Sequence, residues 1–189
     1  MSLPTLSNPG SPAPAVFIDR DGTLMEDVPY IRDPSKVELF PGIAEALRKL
    51  QSAGFRLVMV TNQSGIGRGW NTLDDFNRVQ ERFFELLGSG LIEAVYMCPD
   101  APNVPSERRK PAPGMVFEAT RDLNLDLPRS WFIGDKAADV ECGRNAGIPA
   151  VQVQTGEGAA QRSEIAAYFA PSFPEAVDFI IAHAGHAAT

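Results

Sequence analysis

The sequence predicts an α/β fold: a doubly wound, mostly parallel sheet with helices on both faces and no separate cap domain. Three observations carry this. Apolar runs of strand length alternate with amphipathic stretches of helix length. The unusual polar residues follow the ends of those apolar runs. The chain, at 189 residues, is long enough to bury one core and short for two.

Val16 to Asp19 is a short buried strand, broken by Asp21-Gly22. Leu24 to Phe40 has no clean period and reads as an irregular flap. Pro41-Gly42 opens a helix with Ile43, Ala46, Leu47 and Leu50 on one face, and Gly54 ends it before a second strand, Phe55 to Val60. Gly65 to Gly69 reads as a loop. Thr72 or Asp74 then caps a helix whose apolar face includes Phe76, Val79, Phe83 and Leu87. Leu91 to Met97 is a third strand. The proline-dense stretch Pro99 to Pro113 is an extended loop leading to a helix from Gly114 to Leu125. Trp131 to Ile133 is a fourth strand, Ala137 to Ala146 a helix stopped by Gly147, and Ile148 to Val153 a fifth strand. Ala159 to Phe169 and Pro174 to Ala184 are expected to be helices that complete the cover. A single domain over residues 16–184 follows, with short tails at 1–15 and 185–189.

Composition narrows the partners. A net charge of −7 leaves no broad basic surface for a phosphate backbone, so nucleic acid is not expected. The Ser- and Pro-rich start has no signal-peptide pattern, and no apolar run is long enough to span a membrane. Cys98 and Cys142 lie in unlike segments and suggest no disulfide framework, which fits a reducing, cytoplasmic setting. A monomer is expected.

In an open parallel sheet, ligands bind beyond the carboxyl ends of the strands. Asp19 and Asp21 follow the first strand, Thr61-Asn62 the second, Arg109-Lys110 the loop after the third, and Asp135-Lys136 the fourth. One such Asp is more often a turn former than a catalyst; four complementary strand ends shift that balance. Two residues apart in extended chain, Asp19 and Asp21 approach one centre while Arg20 points elsewhere. Asp19, Asp21 and Asp135 would repel one another without a cation among them, and oxygen-only ligation favours Mg²⁺. Lys110 and Lys136 add positive charge suited to a phosphoryl group. A surface ion pair is the plainer reading of Lys136.

These segments resemble the four motifs of the haloacid dehalogenase superfamily of phosphotransferases, in order: Asp19-Arg20-Asp21-Gly22-Thr23, Thr61-Asn62-Gln63-Ser64, Arg109-Lys110-Pro111, and Gly134-Asp135-Lys136-Ala137-Ala138-Asp139. The resemblance implies an Asp19 nucleophile that forms an aspartyl-phosphate, and Asp21 as general acid and base. It implies Mg²⁺ held by Asp19, the Asp21 main-chain carbonyl and Asp135, with Asp139 behind them, and Thr61, Asn62 and Lys110 cradling the transferred group. Thr61 to Gly69 and Arg109 to Met115 are most similar to the small capless sugar-phosphate phosphatases that act on heptose bisphosphate; histidinol phosphate is the alternative substrate. That similarity implies substrate contacts from Arg20, Asp27, Val28, Pro29, Tyr30, Thr61, Asn62, Gln63, Ser64, Arg109, Lys110 and Lys136. A phospho-receiver domain also uses Asp, Thr and Lys at strand ends, but its acceptor Asp follows a later strand than its acidic pair. Relatives commonly carry a zinc loop of Cys-x-His and Cys-x-Cys before the Arg-Lys pair. Here Ala101 to Arg108 holds no Cys or His, so no structural zinc is expected.

Overall fold

The structure is a computed structural model that describes residues 11–184. The strands are β1 (Ala15–Ile18), β2 (Arg56–Asn62), β3 (Ala94–Cys98), β4 (Trp131–Gly134), β5 (Ala150–Val153) and β6 (Tyr168–Ala170). The helices are α1 (Ile43–Ser52), α2 (Ser64–Gly67), α3 (Leu73–Leu87), α4 (Gly114–Asp122), α5 (Ala137–Asn145) and α6 (Phe173–His183). All paired strands run parallel, in the order β3-β2-β1-β4-β5-β6. Strand order reverses between β1 and β4, so the crevice beyond their carboxyl ends is the switch point.

Strand alternation divides the apolar residues between two cores. Val16 and Ile18, Leu57 and Met59, Trp131 and Ile133, and Val151 and Val153 face one core, shared with α1, α3 and α6. Phe17, Val58, Val60, Phe132 and Ala150 face the other, shared with α4 and α5. Both faces of the sheet are therefore covered. Between β1 and α1 the flap holds a 3-10 turn at Pro34–Lys36 and isolated bridges of Met25 with Asp21 and Leu39, and no inserted cap.

Several boundaries differ from the sequence expectation. Residues 1–10 and 185–189, read as tail, lie outside the described residues. Residues 13–15 are docked: Ala13 bridges Leu125, Pro14 accepts from the Arg56 amide, and buried Ala15 opens β1. Part of the expected 65–69 loop winds into α2, and the third strand starts at Ala94. The largest correction is the helix expected over Ala159 to Phe169. Its end is instead strand β6, paired with β5 from Val151–Tyr168 to Val153–Ala170. The cause is Gln152, buried in β5: its amide nitrogen donates to the Asp135 and Gln161 carbonyls (both 2.8 Å), and its oxygen accepts from the Ser163 amide (2.7 Å). A buried amide satisfied in this way outweighs the helix propensity of the alanines.

Candidate active site

Asp19 and Asp21 leave β1 at the switch point, and the turn after them is built on close approach to Asp135. Gly22, at φ +86°, and Gly156, at φ +52°, both sit where a Cβ would strike the Asp135 carboxylate. Thr23 Oγ1 donates to Asp135 Oδ1 (3.4 Å), and the Glu157 amide donates to Oδ2 (2.9 Å). Asp19, Asp135 and Asp139 bring carboxylate oxygens within 4.8 Å of one another, and all three are buried. Burial raises the Asp19 carboxyl to about 6. Burial, reinforced by Asp19 and Asp139, raises Asp135 to about 8.

Lys110 answers part of that charge. Its Nζ donates to Asp19 Oδ1 (2.5 Å) and to the Val60 carbonyl (2.8 Å), and pairs with Asp139 Oδ1 (2.7 Å). Burial alone would favour the neutral amine, but Asp139 and Asp19 outweigh it and hold Lys110 protonated. Its backbone is pinned by Asn62, whose side chain donates to the Lys110 carbonyl and accepts from its amide, each at 3.1 Å. Asp139 also accepts from the Lys136 amide (3.0 Å) at the start of α5, so one carboxylate positions both lysines. Three buried carboxylates with one embedded ammonium are an oxygen-rich, underneutralised set, and the donor chemistry fits a hard divalent cation.

Asp21 is partly exposed and lines a cavity of about 400 Å³. Its Oδ2 accepts from Gln63 Nε2 (2.7 Å) and from Thr61 Oγ1 (3.5 Å). The same cavity is lined by Asp27, Val28, Pro29, Tyr30, Asn62, Gln63, Ser64, Arg109, Lys110 and Lys136. Lys136 pairs with Asp27 (2.9 Å), closing the flap onto the fourth strand end. Asp19 and Thr61 lie behind this lining, in contact with Lys110 and Asp21, and Asp135 lies behind Glu157.

Arg20, like Thr61, is an expected contact that the cavity lining lacks. Its side chain is 1% exposed and turns away from the cavity. Nε and Nη2 fork onto both oxygens of Asp21 at 3.0–3.2 Å, Nη1 donates to Gln80 (3.0 Å), and the guanidinium lies 5.2 Å from the Phe76 ring centre. It positions Asp21 and presents no side chain to the pocket. Residues missed from the sequence also line the cavity: Ile31, Gly65, Arg68, Asn71, Pro102, Ala138 and Glu157. Of these, Arg68 alone carried a visible signal, as a cation in a glycine loop after the second motif.

The loop from Cys98 to Lys110 is organised by Ser106. Its Oγ accepts from the amides of Arg108 (3.2 Å) and Arg109 (3.1 Å) and lies 3.7 Å from Cys98 Sγ. Arg109 Nη1 donates to the Asp100 carbonyl (3.0 Å), and Arg108 pairs with Glu118 of α4. Cys98 and Cys142 are both free and buried. No helix among the described residues is long and apolar enough to cross a membrane.

Comparison with known proteins agrees with this geometry. Residues 107–177 match the HAD-hydrolase-like family model. The chain is 38% identical, over 91% of its length and 97% of the relative's, to the D-glycero-D-manno-heptose-1,7-bisphosphate 7-phosphatase of Thermosynechococcus vestitus. It is 37% identical, over 82% and 87%, to the D-glycero-beta-D-manno-heptose-1,7-bisphosphate 7-phosphatase of Yersinia pestis. The crystal structure of the D,D-heptose 1,7-bisphosphate phosphatase of B. bronchiseptica, complexed with magnesium and phosphate, superposes with a TM-score of 0.80 at 26% identity, covering 90% of this chain and 99% of that one. With its strand-end aspartates gathered at the switch point and its similarity running over nearly the full length, the chain belongs to the heptose-bisphosphate 7-phosphatase family of HAD-like hydrolases.

Proposed function

We propose that the protein removes the C7 phosphate of D-glycero-D-manno-heptose 1,7-bisphosphate, with Asp19 as nucleophile and Asp21 as acid and base. The observation that carries the reading is the contact of Lys110 with Asp19 (2.5 Å), beside an Asp21 that faces the cavity. Lys110 fixes the rotamer of the attacking carboxylate and supplies positive charge where phosphoryl oxygens gather charge.

In the first step an Asp19 oxygen bonds to phosphorus while the bond from phosphorus to the C7 oxygen breaks, and Asp21 passes its proton to that leaving oxygen. In the second, Asp21 takes a proton from a water that attacks the same phosphorus, and the aspartyl bond breaks to free phosphate and Asp19. Thr61 and Gln63 hold Asp21 between the steps. Asp19, Asp135 and the Asp21 main-chain carbonyl would hold Mg²⁺, which when bound offsets negative charge on the phosphoryl oxygens. The enzyme is taken to act as a monomer, and two free, buried thiols suit a cytoplasmic setting.

The test is phosphate release with Mg²⁺ from a panel holding the heptose bisphosphate, other sugar phosphates and histidinol phosphate. Preferential release from the heptose bisphosphate is expected. A clear preference for histidinol phosphate would overturn the substrate assignment and leave the chemistry standing.

A further inference from the structure

Four cations line the cavity, and three are engaged. Lys110 is held by Asp19, Asp139 and the Val60 carbonyl. Lys136 pairs with Asp27 (2.9 Å) and reaches Glu157 (3.7 Å). Arg109 donates to the Asp100 carbonyl. Arg68 differs from all three: among the described residues its guanidinium neither pairs with a carboxylate nor donates to a carbonyl. Its guanidinium instead lies 4.7 Å from the centre of the Trp70 ring, which packs edge-on against Tyr30 at 4.5 Å.

This arrangement is built. The Gly67 amide donates to the Pro99 carbonyl (2.9 Å), and a Cβ at Gly67 would meet Pro99, Asp100 and Ala101, so α2 is seated on the loop that carries the Arg109 anchor. Asn71 Nδ2 donates to the Tyr30 (3.1 Å) and Ile31 (3.0 Å) carbonyls and ties the flap to the same segment. Both exposed rings, Tyr30 at 44% and Trp70 at 48%, are thereby fixed at the rim. A guanidinium stacked on an aromatic face keeps its N–H edge free for an anion.

Resting on the proposed bisphosphate substrate, we infer that Arg68, held on the Trp70 ring, is a specificity-determining residue that binds the phosphate that is not transferred. The transferred phosphoryl group belongs to Asp19 and Lys110. A second phosphate in the same cavity needs its own charge-assisted donors, and Arg68 is the uncommitted one, with Arg109 on the adjoining loop.

The test is steady-state kinetics with saturating Mg²⁺ on heptose 1,7-bisphosphate and on heptose 7-phosphate, the same sugar without the second phosphate. In Arg68→Gln, KM for the bisphosphate should rise about 10- to 100-fold with little change in kcat, as expected for one lost charge-assisted contact. The 7-monophosphate should be turned over as in the wild type, which also controls for folding. Arg68→Lys should recover part of the loss, and Trp70→Ala should reproduce part of it. Equal effects on both substrates, or none on either, would overturn the inference while the wild type's preference for the bisphosphate left the substrate reading intact. A wild type indifferent to the second phosphate would overturn both.

Discussion

Arg20 carries a permanent charge in a side chain that is 1% exposed, and Asp21 is what makes that tolerable. The fork onto both Asp21 oxygens fixes the carboxylate that must give and take protons, while Gln80 and Phe76 fix the fork. Arg20→Met should therefore lower kcat by about 10²-fold through misplacement of Asp21, with KM little changed. Unchanged kcat in steady-state assays would mean that Asp21 is held by Gln63 and Thr61 alone. At this scale the sequence was legible where chemistry demands one residue type: Asp19, Asp21, Thr61, Lys110 and Asp135 all meet at the crevice. It was less legible where a long side chain decides. Alternation correctly sent Arg20 away from Asp19, but its length lets it return to Asp21. Asn62 reaches the pocket wall, yet its side chain is spent on the Lys110 backbone.

Among elements, the strands were readable because each buries apolar residues on both sides, and α1 and α3 because one face is apolar. β6 was not. It has three residues at the sheet edge, preceded by a segment rich in helix-favouring alanine, and its conformation is dictated by a glutamine on its neighbour. Gln152→Ala would strip buried partners from the Asp135 carbonyl and the Ser163 amide. It should destabilise the protein by about 2–4 kcal/mol, from the cost of unsatisfied buried groups. Urea unfolding checks this, and a variant within about 0.5 kcal/mol of the wild type, the range of a neutral surface change, would contradict it. The same variant should weaken metal binding, since Gln152 braces the backbone of Asp135.

At the scale of the whole molecule, the sheet brings segments far apart in sequence to one point, and the electrical consequence is a fold that strains against its own site. Asp19 and Asp135 hold their protons up to about 6 and about 8, well above the ordinary carboxylate value of 3.8. The folded, metal-free protein thus binds more protons than the unfolded chain across that window, and loses stability as pH rises through it. A divalent cation replaces those protons, so Mg²⁺ should raise the thermal midpoint more near pH 8 than near pH 5. An upshift that is equal, or larger at the acid end, would contradict the placement of the cation among these carboxylates. The convergence itself was legible, since it needs only strand order and strand ends. The flap and the loop from Cys98 to Lys110 were not, because neither repeats a period and both are shaped by side-chain bonds such as those of Ser106 and Asn71. The whole mechanism depends on Asp19 as the atom donor to phosphorus. The direct test is acid quenching of the Asp21→Asn variant after incubation with Mg²⁺ and acetyl phosphate, followed by mass analysis of the peptide containing residues 16–23. One added phosphoryl group on Asp19 is expected, because acetate leaves without needing the proton of Asp21, while the variant cannot activate water to clear the intermediate. A phosphoryl group on any other residue, or phosphate released with no enzyme-bound phosphoryl at any time, would contradict it.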